Sequence, residues 1–429
     1  MRVTLIKPSV NFGKIYNKEI GFVPYEPLAI AILASLTPPD VEVKFYDKRL
    51  EDIPYNEHTD LVAISVDSVS ARSAYTIAEE FRKRGVPVIL GGIHPTLYPQ
   101  EAINYSNSVV IGESEDLWRQ LINDAERNKL NKFYYSKMNY PIGDIAPRRD
   151  IYKENYLNLH LVEIGRGCKY KCDFCCLSNI YNSYRYKPIT SIVNEIEGLD
   201  KRKPILFIND NLTSDINFSK ELFSALIPLK IKWRGFVCLD IIDNDEIFDL
   251  MAKSGCELIF VGFESLKKEN ILQMKKFQNI RVKYSSFVKK SRERGIAIYG
   301  TFIFGYDYDT ADVFEKTLEF AIKNKLFGAW FNILQPMPGT PAYERLLSKN
   351  RLHNVRWWLE EEQKADDLYF IPESGLSSRQ IIDGCRNAIS KFYDWTSIFK
   401  RVEFKANCNS FAKAKYYIHF NLNEYKLTR

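Results

Sequence analysis

Residues 165–175 read GRGCKYKCDFC, with cysteines at 168, 172 and 175 in the spacing C-x3-C-x2-C. The apolar run LVEIG (161–165) leads into them and has the pattern of a buried strand. The three thiols therefore sit on a loop at a strand's carboxyl end. A structural zinc site asks for four ligands, usually as two C-x2-C pairs, and no second pair exists. Three thiolates suit a [4Fe–4S] cluster, leaving one iron without a protein ligand, and an open metal position marks a catalytic centre. The competing readings are a redox pair and plain buried thiols. Cys176 adjoins the set and is left out, because its position turns the side chain elsewhere. Cys238, Cys256, Cys385 and Cys408 stand singly in apolar contexts and read as core.

Outward from this loop, apolar runs recur at 205–210, 233–239, 257–264, 297–306 and 329–337, with helical patterns such as 277–294 and 311–325 between them. Strands each followed by a helix predict a parallel barrel, whose active site gathers at the carboxyl ends. Six such units are too few to close an eight-fold barrel, so an open crescent is expected over residues 161–345. Before it, runs at 2–7, 41–46, 61–66, 87–90 and 109–112 alternate with helices at 69–84 and 114–127. These predict a Rossmann-like parallel sheet over residues 1–140. Its ligands would lie beyond the strand ends, at GGIHPT (91–96) and GESE (112–115). Residues 141–160, with PIGDIAPRRD, read as a linker. Residues 346–429 lose the strand rhythm; a stripe of Ile381, Ile382, Cys385, Ala388, Ile389, Phe392 and Trp395 predicts a small, mostly helical cap.

Composition bounds the function. The chain has 429 residues, 45% of them hydrophobic, and 60 Lys and Arg against 54 Asp and Glu. The basic residues are dispersed, so duplex nucleic-acid binding has no support. No apolar run is long enough to span a membrane. The start MRVTLIKPSV lacks a signal-peptide pattern, and the expected location is the cytoplasm. Reduced cysteines fit that compartment.

The cysteine spacing, with Phe174 before the last cysteine, resembles the signature of radical S-adenosylmethionine (SAM) enzymes. The resemblance implies that SAM chelates the open iron and is reductively cleaved to a 5′-deoxyadenosyl radical. It puts Phe174 beside the adenine and the cofactor's amino group at Asn209, Asp210 and Asn211 (FINDN), where many members carry Gly-Gly-Glu and this chain does not. Glu264 (VGFES) resembles the ribose ligand; GTFIFGYD (300–307), with Phe304, and LQPMPGTPAYERL (334–346) resemble the adenine-side segments. The amino-terminal half is similar to the cobalamin-binding domain of the cobalamin-dependent members. The matches are PYEP (24–27), SVDSVSARSAY, FRKRGVPVILGGIHPTLYPQEA and VVIGESEDLW. Cobalamin contacts then fall at Ser65, Gly91, Gly92, His94, Gly112 and Glu113. A D-x-H-x-x-G segment is absent, so His94 is a weak axial candidate and no protein axial ligand is expected.

The implied activity is methyl transfer to an unactivated carbon of a lipid or specialised metabolite, using the cluster, SAM and cobalamin, with flavodoxin or ferredoxin as electron donor. The alternative is cyclisation, ring contraction or transfer of another SAM-derived group by the same cofactors. A tRNA-modifying methylthiotransferase is disfavoured, because residues 1–167 contain no cysteine for a second cluster.

Overall fold

The computed structural model describes residues 1–10, 24–137, 141–153, 155–181, 183–360 and 368–428. Parts of the expected first domain (11–23, 138–140), of the linker (154) and of the cap (361–367, 429) lie outside them. Six strands make the amino-terminal sheet: β1 (Arg2–Lys7), β2 (Glu42–Asp47), β3 (Leu61–Ser65), β4 (Val88–Gly91), β5 (Ser108–Ile111) and β6 (Phe133–Tyr135). Their order is β2-β1-β3-β4-β5-β6, with every neighbouring pair parallel. Runs such as Leu61–Ile64 are buried along their whole length, as a sheet covered on both faces requires. The helix Leu28–Leu36 and the short β6 are elements that the sequence reading did not set out.

The second sheet runs in chain order through β7 (His160–Glu163), β8 (Ile205–Ile208), β9 (Trp233–Val237), β10 (Cys256–Glu264), β11 (Ala297–Phe304) and β12 (Gly328–Ile333), again all parallel. It does not close, so the partial barrel is the expected crescent. Alternation along the strands sends Phe207, Trp233, Val261, Phe302 and Phe331 into the core beneath the outer helices. Arg234, Phe236, Phe260, Tyr299 and Trp330 fall on the inner face.

An open barrel has two edges, and unpaired edge groups must be satisfied. At β12, Tyr393 Oη donates to the Ala329 carbonyl (2.9 Å) and accepts from its N–H (3.2 Å), and the Cys385 thiol donates to the Phe331 carbonyl at 3.4 Å. At β7, Arg149 donates to the Leu161 carbonyl while also pairing with Glu26 and Glu195. The carboxyl-terminal residues, expected as a small, mostly helical cap, make three contacts. Trp357 and Trp358 pack with Tyr75 and Ala102 of the first domain, the helix Ser378–Phe392 joins the barrel core, and the helix Phe411–Leu427 packs at the amino ends of the strands through Tyr417 and Phe420.

The buried Tyr393 hydroxyl carries both edge bonds, so Tyr393→Phe strands two main-chain groups of Ala329. The variant is expected to lose about 1–3 kcal/mol of unfolding free energy, read by urea titration of the full chain.

Candidate functional site

The loop after β7 begins with a short antiparallel ribbon, Gly165–Arg166 against Arg185–Tyr186. Gly167 follows at φ +90°, where a Cβ would lie 2.6 Å from the Ser183 carbonyl, so only glycine fits. Its N–H donates to Asp210 Oδ2 at 2.7 Å, which ties the start of the cysteine loop to the end of β8. Asp173, in the middle of the loop, is 1% exposed. It accepts from Tyr306 Oη at 2.7 Å and from the Arg345 guanidinium. Its own N–H bonds Met274 and its carbonyl accepts from Ala342. The loop is thus anchored to the ends of β8 and β11 and to two helices before any metal binds.

Cys168, Cys172 and Cys175 are free thiols. Burial raises all three above the ordinary thiol value, Cys175 to about 12, so in the protein alone they stay protonated. A metal displaces those protons when it binds. Cys172 interacts electrostatically with Cys168, and Cys175 with Cys172. Among the described residues no three His, Cys, Asp or Glu side chains converge as a single-ion site requires. A cubane does not ask for that, since each thiolate takes a different iron. The donor set therefore fits a [4Fe–4S] cluster held through three irons.

Cys238, read from sequence as core, follows β9 and interacts with Cys168 and Cys172; it belongs to the floor of this site. Lys276 was not foreseen at all. It is buried, its Nζ donates to Glu264 Oε1 at 2.8 Å and lies 5.7 Å from the Phe174 ring centroid. Burial opposes its charge, but Glu264 with Cys238 and Cys172 outweighs that and raises Lys276 above the ordinary lysine value. Gln278 Nε2 donates to Cys172 Sγ at 3.8 Å. Gln278 falls at the start of the run 277–294 that the sequence presents as a helical pattern, which gives no sign of this contact.

Asn209 and Asn211 are buried at the end of β8, and the side-chain NH2 of each has no partner. Asp210 beside them is raised by burial, with Glu163 repelling its charge; one of its oxygens is spent on Gly167. Orphaned donors and a carboxylate at one strand end suit a polar ligand with an ammonium group. Glu264 ends β10 at φ +61°, a left-handed backbone that costs free energy in a non-glycine residue. Its Oε2 accepts from Thr301 Oγ1 at 3.2 Å, and each oxygen keeps a lone pair for a hydroxyl. Phe174 is part-buried against the cluster of Tyr306, Leu334 and Ile271.

Three residues of the expected contact set have partners within the chain. Phe304 is 1% exposed and packs edge-on against Phe314 in the outer core, because alternation along β11 gives the inner face to Thr301 and Ile303. The His94 ring is 0% exposed, with Nδ1 at 3.1 Å from Ser68 Oγ and Nε2 at 3.1 Å from Glu101 Oε1. Both nitrogens are committed, so it ligates nothing. Glu113 is bound by Arg185 (2.5 Å) and Arg166 (3.1 Å) across the domain junction; burial pushes its pKa up, but the two arginines hold it below the usual range. Arg166 also pairs with Glu115 and Glu163.

Ser65, Gly91, Gly92 and Gly112 line the ends of β3, β4 and β5. At Gly92 (φ +107°) a Cβ would meet the Val66 carbonyl at 2.7 Å. The short helix Ile93–Leu97 that follows touches Leu177–Ile180, just past the cysteines. The carboxyl edges of the two sheets therefore face each other.

The family model of the radical SAM superfamily matches residues 162–321. Bacteriochlorophyllide d C-12(1)-methyltransferase of Chlorobaculum tepidum is 29% identical over 394 residues, 88% of this chain and 85% of that protein. Bacteriochlorophyllide d C-8(2)-methyltransferase of the same organism is 30% identical over 342 residues, covering 74% and 75%. The chain belongs to the radical SAM superfamily. Among solved structures, the radical SAM methyltransferase TsrM from Kitasatospora setae, with cobalamin and a [4Fe-4S] cluster bound, aligns at TM-score 0.65 and 17% identity over 81% of this chain and 78% of that one. The cobalamin-dependent SAM radical enzyme OxsB aligns at TM-score 0.64 and 13% identity over 100% and 71%. These two likenesses show a shared fold, a parallel sheet preceding the radical SAM barrel.

Two outcomes check the site. Replacing Cys168, Cys172 and Cys175 together by Ala is expected to abolish iron uptake on anaerobic reconstitution, while Asp173→Asn keeps the thiols but lowers iron retention several-fold; full iron in the triple variant refutes the ligand set. Asp309 fixes the turn carrying Tyr306 by accepting from Gly305 N–H (2.7 Å) and Asn270 (2.6 Å), and burial raises its pKa to about 6. A raised acid stabilises the fold below its unfolded pKa, and that contribution fades as pH rises through 6. Relative to wild type, Asp309→Asn should therefore gain about 2 kcal/mol between pH 4 and pH 7, measured by denaturant titration.

Proposed function

We propose that this protein is a cobalamin-dependent radical SAM methyltransferase that methylates an unactivated carbon of a small molecule. The observation that carries the reading is the opposition of two carboxyl edges. The three-cysteine loop stands on one and the glycine-rimmed edge of β3–β5 on the other, locked together by Arg166 and Arg185 on Glu113 and Glu115. When bound, the cluster with SAM supplies hydrogen abstraction from carbon, and cobalamin supplies the methyl group.

The chain's own residues do the rest. Cys168, Cys172 and Cys175 hold the iron and leave one position open. Asp210, with its remaining oxygen, pairs an ammonium, and the Asn209 and Asn211 amides, unpartnered in the buried strand end, donate to the same ligand. Glu264, held by Lys276 and Thr301, keeps an acceptor turned to ribose hydroxyls. Phe174 forms the wall against the adenine. On the facing edge, Ser65, Gly91, Gly92 and Gly112 would offer backbone and small side chains to a macrocycle, while the His94 ring is held by Ser68 and Glu101. Flavodoxin or ferredoxin is the class of donor suited to such a centre, in the reducing cytoplasm.

Anaerobic reconstitution with iron, sulfide and hydroxocobalamin, followed by desalting, tests the reading. About four irons and one cobalamin per chain, with label from methyl-tritiated SAM appearing on bound cobalamin under reductant, are expected. Iron without cobalamin would overturn methyl transfer in favour of cyclisation or another SAM-dependent reaction.

A further inference from the structure

The segment 272–283 lies over the cysteine loop. The helix Lys268–Gln273 ends there, and Lys275 at φ +52° turns the chain back across the loop. Met274 accepts from the Asp173 N–H at 2.9 Å, the buried Lys276 reaches Glu264, and Gln278 donates to Cys172 Sγ at 3.8 Å. The short helix Phe277–Asn279 also touches Leu239–Ile241 after β9. Residues that alternate with these inward contacts turn to solvent. Phe277 is 60% exposed and Leu272 44%. Lys275, Arg281 and Lys283 are exposed beside them, and Lys171 is exposed between Cys168 and Cys172. The first domain meets the loop at its other end, where the helix Ile93–Leu97 touches Leu177–Ile180.

The charge of this surface is uncompensated. Residues 267–283 hold six Lys and Arg against one acid, Glu269, whereas the rest of the chain mixes the two signs. The neighbouring carboxylates are already spent. Asp240 serves Lys169 and the Tyr170 hydroxyl, Asp173 serves Arg345 and Tyr306, and Asp307 serves Arg351 and Gln273. Among the described residues, Lys171, Lys275, Arg281 and Lys283 form no ion pair with any carboxylate. Exposed apolar side chains ringed by free cations suit contact with another protein. Electron-transfer encounters are of this kind, small in area and steered by opposite charge.

We infer that this surface is where an acidic flavodoxin docks to reduce the iron–sulfur centre: Phe277 and Leu272 meet the apolar edge of its flavin, and Lys171, Lys275, Arg281 and Lys283 meet the carboxylates around that edge. The assignment rests on the functional reading above, because only a loop that holds iron needs a donor. Electron transfer weakens steeply with distance. Phe277 is the chain neighbour of Gln278, which touches Cys172, so a flavin laid on Phe277 comes close to a cluster ligand. The reduced flavin, an anionic hydroquinone, gives up one electron and is left as the neutral radical; that electron takes one ferric iron to ferrous, and no proton moves. An apolar centre favours a flavin, whose dimethylbenzene edge is bare hydrocarbon, over a donor that presents charge alone.

The test uses the full chain reconstituted with iron and cobalamin, and oxidised flavodoxin carrying a fluorescent label, read by anisotropy. Micromolar binding at low salt is expected, about tenfold weaker at about 200 mM salt. Lys275→Glu and Arg281→Glu should each weaken it about tenfold, and Phe277→Ala about fivefold. Lys129→Glu, the same change of charge on the first domain, should leave it within about twofold. All four positions are exposed, so the variants are expected to melt with wild type. Stopped-flow oxidation of flavodoxin hydroquinone by the loaded protein should slow in the same order. Binding that ignores salt, or that the three surface variants leave unchanged, would overturn the docking assignment. So would tighter binding of an acidic ferredoxin, of single-stranded RNA or of anionic vesicles through the same residues. Dithionite needs no docking surface, so with it wild type and variants should form 5′-deoxyadenosine from SAM at one rate. A wild type that takes up no iron, or cleaves no SAM with dithionite, loses the functional reading; one that does both and ignores flavodoxin loses only the docking surface.

Discussion

A buried ammonium holds the site together. Lys276 reaches Glu264 at the end of β10 and lies beside Phe174, Cys172 and Cys238. Removing one partner of such a pair leaves an uncompensated charge in a low dielectric, a loss of about 3–5 kcal/mol. The surrounding chain is shaped to keep both. Gly262 has no side chain where a Cβ would lie 2.2 Å from Glu264 Oε1 and 2.5 Å from Lys276 Nζ. Glu264 accepts a left-handed backbone to turn its carboxylate inward. In exchange, Cys168 and Cys172, whose thiols burial pushes up, gain a nearby positive charge, the field that favours thiolates once iron arrives.

The second constraint is the junction between sheets. A parallel sheet gathers its functional groups at one edge, so two such sheets share a site only if their carboxyl edges meet. Arg166 makes that meeting specific. It sits between two of the loop's glycines and reaches Glu163 on its own strand, and Glu113 and Glu115 on the facing domain. Trp358 adds a second fastening from the carboxyl-terminal segment, donating to Glu101 at 2.9 Å, the same carboxylate that holds His94. Residues of three separate chain regions thereby fix the distance between the edges.

Local pattern made the framework legible. Continuous apolar runs announced both parallel sheets, and all six barrel strands formed on them, each packing one face beneath the outer helices. The three cysteines were readable because spacing on one loop is a local property. Phe304 was misplaced because the reading took a motif without following alternation: counting from Thr301 sends residue 304 outward. His94 and Glu113 have partners that the sequence does not announce, for a different reason. Their partners, Glu101 with Trp358 and Arg166 with Arg185, come from distant chain segments, and a sequence does not show which polar side chain is already spent. Lys276 lay hidden for the same cause, one of several lysines between Lys267 and Lys276, in the connection after the helix Lys268–Gln273. The dispersal of residues 346–429 over three contacts also depends on long-range packing that a helical stripe cannot specify.

The open barrel gives this arrangement its consequence for substrate. A closed eight-stranded barrel fills its own interior with layers of side chains. Six strands cannot, so the inner face must be covered from elsewhere. Leu28 and Ile32 of the first domain cover Leu161 and Leu206 on one side, and the terminal helix covers Leu258 and Ala297 at the far end. What remains uncovered lies between them, over Phe236 and Trp330. The size and chemistry of that space are therefore set by two elements outside the barrel, while the cysteine loop and Glu264 belong to the barrel itself. The cover of the inner face therefore comes from parts of the chain other than those that carry the cysteine loop and Glu264.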